Sequence, residues 1–139
     1  MRETKFRGLG VDGKWWYGES SKPSGENHVN LASFFANAHV GAIRSETIVE
    51  YTGLKDKNGR EIYESDYMQT KKNILFAIIW SPKLARWSGI TPNIWTDKPY
   101  VGKYIYKSLP YLSEQGEVIG NIYEHSYLLD KKAENGRIK

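Results

Sequence analysis

Apolar and polar residues alternate along most of this chain with the period of two that strands require, and little of it carries the 3.6-residue period of helices. Residues 4–7 and 14–17 flank Val11-Asp12-Gly13. An Asp-Gly step favours the positive backbone angles of a tight turn, which predicts an N-terminal hairpin. Residues 20–30 form a polar loop rich in breakers, and residues 31–38 are apolar on too many sides for clean alternation, leaving short helix and strand both open. From Thr47 the alternation returns, with Thr47, Val49 and Tyr51 on one face and Ile48 and Glu50 on the other. Asn58-Gly59 predicts a second hairpin. Ile62 and Tyr63 resume the chain and residues 67–70 read as a further strand. Residues 74–80 are continuously apolar, β-branched at three positions and sharply bounded, as expected of a central strand buried on both faces. Pro82, Pro92 and Pro99 cut the next stretch of chain into short pieces. Residues 100–107 and 117–123 are the last strand candidates. Short helices are expected at most near 31–38 and 124–130, and the tail 130–139 is polar and expected to fray.

Composition sharpens this picture. The chain has 139 residues, enough for one domain with its own core. Five Trp, ten Tyr and four Phe make up 14% of it, and aromatics suit the pleated, half-buried surface of strands. Many short strands with tight turns predict a single mostly β domain, a small barrel or sandwich. With no cysteine, disulfides, thiolate metal sites and a thiol nucleophile are all excluded. The first residues, Met1-Arg2-Glu3-Thr4-Lys5-Phe6-Arg7, lack the apolar stretch of a secretory signal. A seven-residue apolar run is far below the ~20 residues of a membrane-spanning helix. A soluble, cytoplasmic protein is expected.

Candidate chemistry is sparse. His28 falls in the polar loop, His39 near the ambiguous apolar segment and His125 after the last strand, at no metal-ligand spacing, so capping or solvated roles are expected. Asp56, Glu61, Glu64 and Asp66 crowd one region, and paired acids can perform glycosidic or metal-assisted hydrolysis. Asp56, however, sits in a turn, where Asp bonds its own backbone. Its Asp-x-Asn-Gly run also misses the calcium-loop pattern, whose glycine comes two residues later. No nucleophile elbow, phosphate loop or dinucleotide fingerprint is present. The expectation is a non-enzymatic protein with no cofactor and no metal.

Charge is distributed unevenly. Residues 67–113 hold seven basic residues and one acid, Asp97, a local charge of +6, against thirteen basic and fifteen acidic residues elsewhere, −2. The same stretch carries three of the five tryptophans, Trp80, Trp87 and Trp95. Cations interleaved with aromatics can neutralise phosphates and stack bases. On this expectation Lys71, Lys72, Lys83, Arg86, Lys103 and Lys107 contact the backbone of a nucleic acid while Trp87, Trp95 and Tyr104 stack. Two alternatives stand beside it: aromatics of short strands belong to the core, and lysines keep sheet edges soluble. A protein-interaction module that self-associates or binds another protein would also expose aromatics.

Three stretches carry a family resemblance. Thr52-Gly53-Leu54-Lys55-Asp56-Lys57-Asn58-Gly59-Arg60-Glu61-Ile62-Tyr63-Glu64 resembles the signature of the YopX family of phage and prophage proteins. Glu117-Val118-Ile119-Gly120-Asn121-Ile122-Tyr123-Glu124 resembles its C-terminal motif, and Phe6-Arg7-Gly8 with Gly13, Trp15 and Tyr17-Gly18 resembles its opening hairpin. The resemblance implies a small barrel of the SH3 type, a setting in the cytoplasm of a bacterial host, and no particular catalytic activity. The family continues after Tyr-Glu with a Gly-Asp step into an apolar strand. Here Ser65 replaces that glycine and Tyr67 the aliphatic residue.

Overall fold

Each of the two α-helices among the described residues sits on a sheet face where glycine leaves room for it. The computed structural model describes residues 4–23, 25–71, 74–82, 84–92 and 104–125, with backbone alone at 91, 92 and 104–106. The chain divides between Gly53 and Leu54 into two compact units.

In the first unit, β1 (Lys5–Leu9) and β2 (Trp15–Glu19) form the predicted hairpin, in register from Lys5 opposite Glu19 to Leu9 opposite Trp15. The Gly10 N–H donates to the Lys14 carbonyl at 2.8 Å and Asp12 Oδ1 accepts the Lys14 N–H at 3.1 Å, closing the turn. The polar loop after β2 ends in a strand the periodicity does not predict. Three residues long, β3 (His28–Asn30) runs parallel to β2, too short to show a period of its own. Asn30 then caps α1 (Leu31–His39), its Oδ1 accepting the Ser33 N–H at 2.8 Å. This helix resolves the ambiguity at 31–38. Phe34 is fully buried against the hairpin, where a Cβ on Gly18 would lie 2.6 Å from its ring, while Phe35 and the capping residue Val40 remain exposed. After a single 3₁₀ turn (Ser45–Thr47), β4 (Val49–Lys55) pairs with β1, giving the order β3-β2-β1-β4. Thr47, Val49 and Tyr51 are buried and Ile48 and Glu50 half-buried, as the alternation predicts.

β4 runs past Gly53 into the second unit and turns through residues 56–60 onto β5 (Glu61–Tyr63). Gly59 takes φ +83° in this turn, a conformation open to glycine at little cost. β6 (Asp66–Thr70), β7 (Leu75–Ser81), β8 (Arg86–Pro92), β9 (Tyr104–Ser108) and β10 (Gly116–Asn121) form an antiparallel sheet in the order β10-β6-β7-β8-β9. The apolar run supplies the central strand. Its first half is buried on both faces through Leu75, Phe76 and Ile78, but Trp80 near its end is 45% exposed. One face of this sheet is covered by α2 (Leu109–Gln115), a helix the alternation at 100–107 and 117–123 does not disclose. Ser108 caps it by accepting the Tyr111 N–H at 3.3 Å, and Pro110 lies in its first turn. Leu109 and Leu112 enter a core with Ile62, Met68, Phe76, Ile78 and Val118.

The described residues are mostly β, with two short α-helices. Among the described residues neither sheet closes into the small SH3-type barrel that was expected, because each buries an apolar face under a helix instead of curling on itself. The helix expected at 124–130 corresponds at its start to a turn over 122–124, and residues 126–130 lie outside those described.

Candidate functional site

The two longest family-like motifs meet each other. Asp56 is buried, and its Oδ1 accepts the N–H groups of Asn58 and Arg60, both at 2.9 Å. Its Oδ2 reaches across to accept the Val118 N–H at 2.8 Å. Asn58 Nδ2 donates to Glu117 Oε2 (3.1 Å), Arg60 Nη1 to the Val118 carbonyl (3.4 Å) and the Lys57 N–H to the Gly116 carbonyl (3.3 Å). The turn therefore lies along the outer side of β10, the end strand of its sheet, and occupies groups that an open edge would offer to another chain.

The second motif closes on itself in the same manner. Asn121 Oδ1 accepts the N–H groups of Tyr123 and Glu124 at 3.0 Å, and His125 Nδ1 accepts the Asn121 N–H at 3.1 Å. Ser65, where the family resemblance places glycine, has φ +71°, so the serine keeps the left-handed turn. Its carbonyl accepts the Ile122 N–H at 3.1 Å and its N–H donates to the Ile78 carbonyl at 2.8 Å. Asp66 Oδ2 accepts the Tyr63 N–H at 2.8 Å, and Glu61 accepts the Tyr63 hydroxyl at 3.0 Å. Asp56 and Asp66 are thus bound to backbone amides. These two acids build turns.

One polar cluster in the first unit has no counterpart in the sequence expectations. Strand alternation places Lys5, Arg7, Trp15, Tyr17 and Glu19 on the face of β1 and β2 turned away from Phe34. Glu19, 2% exposed, pairs with His28 Nδ1, and Lys5 Nζ stands 3.7 Å from the same carboxylate oxygen. The His28 ring stacks on Tyr17 at 4.5 Å between centroids, and Arg7 lies 4.4 Å over Trp15. His28 is therefore a strand residue with a buried partner, not a solvated loop residue. Local signals could not show this, because the parallel β3 pairing brings it to Glu19. His39 is exposed in the last turn of α1. Among the described residues no group of three or more His, Asp or Glu could hold a metal ion.

A cleft of about 250 Å³ also opens in this unit, lined by Val11, Asp12, Trp16, Asn37, Ala42 and Ile43. The Lys14 backbone N–H, and secondarily the Trp16 indole, hold the exposed Asp12 carboxyl below the usual carboxylate range.

The basic, aromatic segment separates into two places. Lys71 is exposed in the turn between β6 and β7, whereas Arg86 is exposed at the start of β8. The seven residues of β7 put roughly 20 Å between these two positions at about 3.3 Å per residue. At the Arg86 end the cross-strand pair Trp80 and Trp87 packs edge to face, 5.3 Å between centroids at 76°. Trp87 is half-buried against the core cluster while Trp80 and Leu84 are exposed. The next row on the same face runs Ile78, Gly89 and Lys107. That register puts the Lys107 backbone roughly 8 Å from that of Trp87. Lys107 Nζ stands 5.0 Å over the ring of Tyr111, itself 41% exposed. Trp87 and Lys107 thus share one sheet face with Trp80, whereas Arg86, cross-strand from Ser81, falls on the opposite face; Trp80 and Tyr111 are aromatics that no site expectation included. Lys72, Lys83, Trp95 and Lys103 lie outside the described residues, as does the side chain of Tyr104.

No curated protein matches the chain. A family model described as YopX protein matches residues 5–130, a span that includes the opening hairpin, the Asp56 turn and the β10 motif that locks onto it. With nine-tenths of its length under that match, the chain belongs to the YopX protein family.

Proposed function

We propose that this is a non-enzymatic accessory protein of phage or prophage, acting in the bacterial host cytoplasm, that binds nucleic acid through the surface around Trp80, Trp87 and Lys107. The observation that carries this is the placement of Trp80, Trp87 and the exposed Lys107 on one sheet face, with Tyr111 of α2 against Lys107. It lies within a segment of local charge +6. Cations there would neutralise phosphates, and the aromatics would add contacts that salt does not screen.

Fluorescence anisotropy of labelled single- and double-stranded oligonucleotides against nuclease-treated protein, across a salt series, tests it. Micromolar or tighter binding that weakens with salt is the expected result. No binding at low salt would retire the nucleic-acid function.

A second function draws on a different feature. Phe35 and Val40 of the α1 region are exposed, 43% and 75%, and exposed apolar surface of this kind serves protein association, including self-association. Association that survives high salt, without oligonucleotide binding, would favour it.

A further inference from the structure

The geometry points to single-stranded nucleic acid as the ligand, with one base stacked on Trp80. This rests on the nucleic-acid function proposed above and narrows it. Trp80 occupies the outward end of β7, and its ring is held from one side by Trp87, which the core cluster fixes in turn. An indole braced edge to face loses little freedom when a base settles on it, so the stacking energy is not spent on ordering the side chain. A base inside a duplex cannot reach such a platform without leaving its stack, whereas a single strand presents its bases at no unpairing cost.

The register adds a cation to the same face. Lys107 is exposed and lies one row from the Trp80–Trp87 pair on the side of the sheet they share, where its ammonium meets the backbone of a strand whose base lies on the indole. The hairpin tip holds Ala85 at φ +51°, a left-handed angle that turns the chain back into β8 and so pairs Trp87 with Trp80.

The test uses the full chain with a fluorescein-labelled dT₁₂ strand and a labelled 12-base-pair duplex at 50 mM salt, each variant first checked by circular dichroism melting. Trp80→Ala should weaken dT₁₂ binding roughly five- to 150-fold, the range for losing one stacked base, and leave any residual duplex binding unchanged. Trp80→Phe should recover most of the loss, because a smaller ring still stacks. Lys107→Ala should reduce the slope of log affinity against log salt by about 0.7, the value for one single-strand phosphate contact. Wild-type protein binding dT₁₂ with Trp80→Ala unimpaired, or duplex bound as tightly as the single strand, overturns the stacking assignment and leaves nucleic-acid binding standing. Wild-type protein binding neither oligonucleotide overturns both.

Discussion

In the first unit the β1–β2 hairpin carries Phe34 of α1 on one face and Lys5, Glu19, His28 and Tyr17 on the other; in the second, α2 seats Leu109 and Leu112 on a sheet lined by Met68, Phe76 and Ile78. Both units bury a helix on glycine, at Gly18 under Phe34 and at Gly89 under Leu112. They differ in what else is withdrawn from water. The second unit gains stability from apolar area, about 25 cal/mol per Å² removed from water. The first withdraws a carboxylate and an ammonium, whose desolvation is offset in part by their pairing and, for the carboxylate, by His28. Two sheets of similar make-up therefore respond differently to substitution: the second by the volume lost, the first by whether a buried charge keeps its counter-charge.

Leu112→Ala should have the largest effect, lowering unfolding free energy by about 4 kcal/mol in urea titration, since a fully buried leucine leaves a cavity its neighbours only partly fill. A loss under about 1 kcal/mol would mean that α2 does not seat on the sheet. Glu19→Ala should cost about 3 kcal/mol by leaving Lys5 buried without that carboxylate. The double change Lys5→Met with Glu19→Leu sharpens the contrast: it removes both charges and should return stability to within about 1 kcal/mol of wild type. Were the double variant as unstable as the single one, the cost would lie in packing and the two units would be alike. Ser65→Gly is the smallest expected change and the only gain, about 0.5–1 kcal/mol in thermal melts, from relieving a left-handed non-glycine residue. A loss on that substitution would show that the serine side chain contributes more than its backbone strain costs.

Much of the second unit is legible in the sequence because its signals are local. The run at 74–80 is the central strand, and Asn58-Gly59 makes its turn. The helix α2 escapes the pattern although Ser108 and Pro110 spell a helix start, because strand alternation on both sides masks a helix of only seven residues. In the candidate interface, the clustering of cations and aromatics marks Trp87 and Lys107 along the chain, and only strand register sets Arg86 on the opposite face. Trp80 reads as core because it ends the most apolar run. Strand position alone cannot tell which end of a buried strand emerges from under its covering helix.

Period-two spacing and the dihedral preferences of Asp-Gly and Asn-Gly act over a few bonds, so the strands, their faces at 47–51 and both early turns come from the chain itself. The contact of Asp56 with Val118 spans 62 positions, and that of Glu19 with His28 needs a parallel strand with no periodicity of its own. Those pairings exist only once the sheets have formed, because a carboxylate finds a distant amide or imidazole by the closure of the fold between them, and no local preference encodes where that closure ends.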